Sequence, residues 1–237
     1  MDKPTPLSDP STRVVGPASA DGLAGDAASL LVARLIDVVR LRDSDLAGHG
    51  QRAAHVAAAI AMELGLDTAT IDRTYLGAQL HDIGKLGVAE AVLWKPAGLN
   101  RGEWTQIRTH PEKGHRLVAD IVHRDVAAAV LSHHERLDGS GYPHGIAART
   151  LPITVRIVQV ADAYDAMTSD RPYDRALASE LAVAEIRRCA GTQFDPDAAA
   201  ALANLLAIGF EDDSAIDIST PDLVGAAQSG DPFATTS

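Results

Sequence analysis

The sequence lacks several features that mark common classes of protein. Cys189 is the only cysteine among 237 residues, so neither an intramolecular disulfide nor a cysteine-rich zinc site can form. Aromatic residues make up only 4% of the chain, which favours close-packed helices over a β-sandwich. No apolar run reaches the roughly 20 residues that span a bilayer, and the N-terminal residues contain no signal-peptide pattern. We therefore expect a soluble protein of the cytoplasm.

The chain also lacks an excess of positive charge. It has 21 Lys and Arg against 32 Asp and Glu, a formal net charge of −11. Binding to DNA, RNA or an anionic membrane is not expected, because each depends on clustered cations.

Residues 210–237 contain six acidic residues and no Lys or Arg, and residues 1–25 are rich in Pro, Ser, Gly and Asp. We predict that these two segments are disordered and that residues 26–209 form one domain.

Between the two tails, apolar residues recur at helical spacing. A helix is predicted over residues 70–81, and Asn100 with Glu103 has the spacing of a capping box. Another helix is expected after Pro152, and Asp195 should cap a last helix that ends near Gly209. No segment alternates as a strand does, so the sequence predicts an all-α helical bundle.

Histidines and aspartates form an ordered series along this domain: His49, His81, Asp82, His110, His133, His134 and Asp162. Taken alone, a buried histidine is more often a hydrogen-bonded core residue than a metal ligand. Asp162 is harder to explain structurally, because a carboxylate in a largely apolar helix needs a partner. The series as a whole indicates a metal centre.

The ligand types limit which metals such a centre would hold. Imidazole and carboxylate without thiolate leave iron, manganese, nickel, cobalt and zinc open. Six or seven ligands exceed the four that one tetrahedral ion takes, whereas two ions that share a bridging carboxylate would use them all. We therefore expect at least two ions.

Several longer motifs contain these residues. They are Leu80-His81-Asp82-Ile83-Gly84-Lys85, Lys95-Pro96-Ala97-Gly98-Leu99, Glu103-Trp104 before His110-Pro111, His133-His134-Glu135-Arg136-Leu137-Asp138-Gly139-Ser140-Gly141-Tyr142-Pro143, Ala161-Asp162-Ala163-Tyr164-Asp165-Ala166-Met167-Thr168, Arg171-Pro172-Tyr173 and Gly191-Thr192-Gln193-Phe194-Asp195-Pro196. In this order, over about residues 40–205, they resemble the HD-GYP domain, a subgroup of the HD superfamily of metal-dependent phosphohydrolases.

The resemblance implies a helical bundle around a two- or three-metal centre that hydrolyses cyclic di-GMP to pGpG, GMP or both. It implies two or three divalent ions, with iron or manganese favoured, and Asp82 as the bridge. Asp45 is carried over as a candidate ligand of a third metal, and Lys85 as the contact to the scissile phosphate. Asp165 and Arg171 are expected to contact the nucleotide. The implied metal ligands are His49, His81, Asp82, His110, His133, His134 and Asp162.

Two alternatives stay open at this stage. Asp174 stands where family members often have Lys or Arg, which motivates a catalytically weak adaptor that binds the nucleotide or a signalling protein. The other alternative is hydrolysis of a related cyclic nucleotide such as cyclic GMP-AMP. All three hypotheses expect a nucleotide or a signalling protein as the partner.

Overall fold

The fold is a bundle of α-helices, as the sequence predicts. The computed structural model describes residues 20–170 and 175–210, and within these ranges there are two isolated β-bridges but no strand. Two short 3₁₀ helices lie at Ile83–Gly87 and Ala148–Thr150. The α-helices are α1 (Ala20–Arg42), α2 (Ser44–Glu63), α3 (Thr68–Leu80), α4 (Glu90–Leu93), α5 (Arg101–Ile107), α6 (His110–Val118), α7 (Arg124–Ser132), α8 (Ile153–Thr168), α9 (Ser179–Arg188) and α10 (Pro196–Ala207).

The core of the bundle is built around α2, α3, α7 and α8. Helix α2 packs against α3 and α8, and α7 packs against α3 and α8 on the other side. Alanines fill much of the buried face of α2, and small side chains allow the helix backbones to approach closely. Helices α9 and α10 extend this core beside α8, whereas part of α1 packs with α3, α6 and α7 in a second apolar cluster.

Side-chain caps fix several helix starts that the sequence predicts. Asn100 and Glu103 form the capping box at the start of α5, and Asp195 accepts hydrogen bonds from the backbone of Asp197 and Ala198 at the start of α10. The helix expected over residues 70–81 is α3, with His81 as its C-cap. These caps place the ends of helices at defined positions, and several candidate ligands lie at such ends.

The domain boundaries are tested only in part by the described residues. Helix α1 begins at Ala20, within the segment 1–25 that the sequence assigns to a disordered tail. Residues 1–19 and 211–237, which make up the rest of the two predicted tails, lie outside the described residues. Within residues 20–170 and 175–210, no helix combines the length and the apolarity needed to cross a bilayer.

The 3₁₀ helix after Asp82 lies in direct backbone contact with α6. A Cβ added to Gly84 would be 1.9 Å from the carbonyl oxygen of His110 and 2.4 Å from the amide nitrogen of Gly114. Only glycine therefore fits at position 84. The contact sets the distance between two candidate ligands, Asp82 and His110.

We expect Gly84→Ala to lower the free energy of unfolding by about 3 kcal/mol or to prevent folding, because the backbone of α6 would have to move. Gly98→Ala is the matched control, since a Cβ there meets no heavy atom within 4 Å. Denaturant unfolding of both variants measures the difference. Equal stability of Gly84→Ala and the unchanged protein would contradict this account of the contact.

Candidate metal centre

The predicted ligands come together from five helices and the segments that follow two of them. His49 lies on the second turn of α2 and Asp162 on α8, so these two ligands project from helix interiors. His81 is the C-cap of α3, with Asp82 next to it, and His110 is the first residue of α6. His133 is the C-cap of α7, and His134 follows it. The structure thus brings together all seven residues of the series.

These side chains form two groups that share one carboxylate. Asp82, His110, His133 and His134 each offer a ligand atom within 4.8 Å of the others, and so do His49, His81 and Asp82. Asp82 Oδ1 is 3.1 Å from His110 Nε2, and its Oδ2 is 3.4 Å from His81 Nε2. Its two oxygens therefore face different groups, as a bridging carboxylate requires.

Asp162 completes the second group. Its Oδ1 lies 3.2 Å from His49 Nε2 and 3.7 Å from His81 Nε2. The imidazole of His49 is thus the partner that a carboxylate in the largely apolar helix α8 requires. The second group thus has two imidazoles and two carboxylates within reach of one ion.

Backbone carbonyls set the orientation of three imidazoles. The Nδ1 atoms of His81, His110 and His133 lie 2.6, 2.8 and 3.0 Å from the carbonyl oxygens of Ala78, Ile107 and Val130. Because a carbonyl only accepts, each Nδ1 must carry the proton, and each neutral ring then presents an Nε2 lone pair to the centre. This is the tautomer that binds metal through Nε2.

Two features of the centre call for a cation: the Nε2 atoms of His110 and His133 face each other, and the carboxylate of Asp82 is buried. His110 Nε2 is 3.0 Å from His133 Nε2, and such a separation suits two nitrogens that bind one ion at about 2.1 Å. Asp82 is 5% exposed, and its buried Oδ1 has no hydrogen-bond donor among the described residues. Lys85 contacts only the other oxygen, Oδ2, and a buried carboxylate oxygen without a partner is destabilising, so a divalent ion fits both observations.

The protonation states of His133, His134 and Asp82 also suit metal binding. Burial lowers the pKa of the His134 imidazole to about 4, and burial together with neighbouring histidines lowers that of His133. For Asp82, burial would raise the pKa of the carboxyl, but Lys85 and His81 outweigh burial and hold it well below its usual range. These groups are therefore neutral imidazoles and an ionised carboxylate at neutral pH.

His49 differs from the other imidazoles because carboxylates lie on both sides of it. Burial disfavours its charged form, but Asp162 and Asp165 outweigh burial and raise its pKa to about 9. The same contact, against the effect of burial, holds the pKa of the Asp162 carboxyl far below its usual range. In the absence of metal, a proton on His49 compensates part of the negative charge of this group.

Asp165 lies behind His49 rather than at the surface of the centre. Its side chain is 1% exposed, and its Oδ2 is 2.5 Å from His49 Nδ1. Arg52 donates to its Oδ1 at 2.6 Å, and Ser169 also contacts it. A carboxylate in this position orients a ligand imidazole, whereas the nucleotide contact expected of Asp165 stays a prediction.

Arg52 is a functional candidate that the sequence analysis missed. It lies three residues after His49 on α2, so it shares a helix face with that ligand. That spacing is the only signal in the sequence, because its partner Asp165 comes from a different helix, 113 residues away.

The remaining predicted residues lie at different distances from the centre. Lys85 is at its edge, half-buried, with its Nζ 2.5 Å from Asp82 Oδ2. Asp45 is exposed on α2 and belongs to neither of the two groups. Arg171 and Asp174 lie outside the described residues. The phosphate contact of Lys85, the third-metal role of Asp45 and the nucleotide contact of Arg171 stay predictions.

The segment that follows α7 is held in place by three side chains. Gln159 of α8 donates its Nε2 to the carbonyl oxygens of Ser132 and Glu135, which flank the histidine pair. Glu135 is 2% exposed, and its carboxylate accepts the backbone N–H groups of His144 and Ile146. The ring of Tyr142 stacks on His134, with centroids 4.6 Å apart. The loop from Glu135 to Ile146 thus supports both histidines.

A cavity of about 290 Å³ opens beside the centre. His133, His134 and Asp162 line its inner part, and Arg108, Arg136 and Phe194 line other parts of it. Arginines beside a candidate metal centre suit an anionic ligand.

Comparisons with known proteins agree with this arrangement. The family model of the HD domain matches residues 33–198. A cyclic di-GMP phosphodiesterase response regulator of Xanthomonas campestris is 37% identical over 168 residues, which are 70% of this chain and 44% of that protein. A 3′3′-cGAMP-specific phosphodiesterase of Vibrio cholerae is 36% identical over 172 residues, 71% of this chain and 37% of that protein.

The fold is also found among solved structures. A HDG"Y"P protein of Bdellovibrio bacteriovorus has a TM-score of 0.57 at 20% identity, covering 78% of this chain and 61% of that one. The chain therefore belongs to the HD domain family, and its HD-GYP resemblance is confirmed. It spans about two fifths of the length of the two curated relatives.

We expect Asp82→Ala to lose all bound metal, because its carboxylate belongs to both ligand groups. His134→Ala should keep one ion per chain, since His134 belongs to one group only. Elemental analysis of both purified variants measures the difference. Two retained ions in Asp82→Ala would contradict the bridging role.

We expect Asp165→Asn to weaken metal binding by about 10- to 100-fold while the fold is kept, because the amide orients His49 less strongly. Asp120→Asn, at an exposed position outside both groups, is the matched control. Competition with a chelator measures the affinity. Equal affinities of the two variants would show that Asp165 does not position His49.

Proposed function

We propose that this chain is a metal-dependent phosphodiesterase that hydrolyses cyclic di-GMP to pGpG, GMP or both. The observation that carries the proposal is the pair of ligand groups that share the buried carboxylate of Asp82. A shared carboxylate holds two ions close together, and two-ion sites are used for phosphodiester hydrolysis. The Xanthomonas relative, named as a cyclic di-GMP phosphodiesterase, supports this substrate.

The donor set and the tautomers favour two divalent ions, and we propose iron or manganese. When bound, such ions lower the pKa of a coordinated water toward neutrality and neutralise phosphate oxygens. His110, His133 and His134 would hold one ion, and His49, His81 and Asp162 the other, with Asp82 between them. A third ion near Asp45 would require the exposed carboxylate of α2 to turn toward His49.

We propose that Lys85 stabilises the transition state. Its ammonium contacts Asp82 at the edge of the centre, so a short movement would bring it to a non-bridging oxygen of a phosphate held there. A fixed cation beside developing negative charge lowers the barrier in a site shielded from water. Hydrolysis adds water across one P–O bond and opens the ring to pGpG, and a second hydrolysis gives GMP.

Cyclic GMP-AMP is the second candidate substrate. A relative of similar identity from Vibrio cholerae is named as specific for 3′3′-cGAMP, so the base preference of this chain requires a direct comparison. The complete ligand set favours turnover over a catalytically weak adaptor. Signalling proteins as partners and a cytoplasmic location remain expectations from the sequence.

We expect Lys85→Ala to lower kcat for cyclic di-GMP by about 100- to 1,000-fold while its metal content stays unchanged. Asp82→Ala should show no turnover, and Asp120→Ala should behave as the unchanged protein does. The assay uses protein purified without oxygen and supplied with iron or manganese, with cyclic di-GMP, cyclic GMP-AMP and cyclic di-AMP as substrates and chromatography of the products.

Two outcomes of this assay would overturn the proposal. Full activity of Asp82→Ala would exclude hydrolysis at this centre. Nucleotide binding without turnover of any of the three substrates, in metal-loaded protein, would establish the adaptor instead.

A further inference from the structure

Arg108 is a cation beside the cavity that the proposed chemistry does not use. It is the C-cap residue of α5, and its side chain lines the cavity together with His133, His134 and Asp162. Its guanidinium carbon lies 5.0 Å from the centroid of the Tyr142 ring. Arg108 is exposed to solvent, and stacking on the aromatic ring limits the orientations of its guanidinium.

Tyr142 connects this cation to the metal centre. One of its neighbours is Arg108, and the other is the imidazole of His134, at 4.6 Å and nearly parallel. The two stacking distances place the guanidinium within about 10 Å of the His134 ring. The chain therefore holds a cation no more than about 10 Å from a candidate metal ligand.

The charge of Arg108 has no carboxylate partner in the described part of the chain, whereas two neighbouring cations form close ion pairs. Among the described residues, no carboxylate oxygen lies within 4.0 Å of the Arg108 guanidinium, which is the limit for an ion pair. In contrast, Lys85 contacts Asp82 and Arg52 contacts Asp165. Arg136 also lines the cavity; it lies 3.9 Å from Asp138, and its buried Nε has no hydrogen-bond partner among the described residues. Of these four, Arg108 is the cation that combines an unpaired charge with a place in the cavity and an aromatic ring that orients it.

A cyclic dinucleotide carries a second phosphate for which the two ligand groups provide no partner. About six covalent bonds of roughly 1.5 Å each join its two phosphorus atoms, so they lie less than about 9 Å apart. If the metal centre holds the scissile phosphate, the separation of the two phosphates is comparable to the span of at most about 10 Å between the His134 ring and the Arg108 guanidinium. We propose that Arg108 binds the non-scissile phosphate of the substrate, an inference that rests on the function proposed above.

The proposal predicts a defect that depends on the second phosphate. Arg108→Ala should raise KM for cyclic di-GMP by about 10-fold or more, with a smaller change in kcat, because a charge-assisted hydrogen bond is lost. Arg108→Lys should recover part of the loss. Hydrolysis of bis(p-nitrophenyl) phosphate, which has a single phosphate, should be unchanged in both variants.

Arg101→Ala is the matched control, because it removes the same charge from an exposed position at the other end of α5. It should leave both reactions unchanged. An unchanged KM of Arg108→Ala for cyclic di-GMP would overturn the inference while the proposed function stands. Equal losses with both substrates would also overturn it, since they indicate damage to the centre. Absence of cyclic dinucleotide turnover by the unchanged protein would refute the proposed function itself.

Discussion

The structure depends on one buried carboxylate that two sets of histidines share. Asp82 follows the end of α3, is almost completely buried, and presents one oxygen to each ligand group. A carboxylate in such a place is tolerated only with cations beside it, and Lys85 alone contacts just one oxygen. Two divalent ions would compensate the charge on both sides. The same requirement therefore explains the buried position of Asp82 and the chemistry proposed for the site.

The rest of the bundle keeps the ligands around this carboxylate. The contact between the 3₁₀ helix at Gly84 and α6 fixes His110, and the hydrogen bonds of Gln159 fix the segment with His133 and His134. Asp165 and Arg52 orient His49 from behind. Helix α8 contributes to two of these arrangements through Gln159 and Asp165, and it also carries the candidate ligand Asp162 between them, at three-residue steps. One face of α8 thus carries a candidate ligand, a side chain that supports the histidine pair and a carboxylate that orients His49.

The sequence singled out the seven residues that the structure brings together but fewer of the residues that support them, for a physical reason. Ligand types are limited to a few residues, and His81-Asp82 and His133-His134 are visible as neighbours in the chain. Helix starts were also predictable, because the caps at Asn100 and Asp195 are local interactions. The roles of Arg52 and Gln159 depend instead on contacts between helices distant in sequence. Arg108 likewise becomes a candidate only through the ring of Tyr142, 34 positions away.

The central claim is that Asp82 bridges two ions. The most direct measurement is a crystal structure of the metal-loaded protein with anomalous difference maps collected at the absorption edge of the bound metal. The account predicts two peaks, one beside each oxygen of Asp82, with His110, His133 and His134 around one peak and His49, His81 and Asp162 around the other. A single ion, or two ions that do not share Asp82, would contradict it.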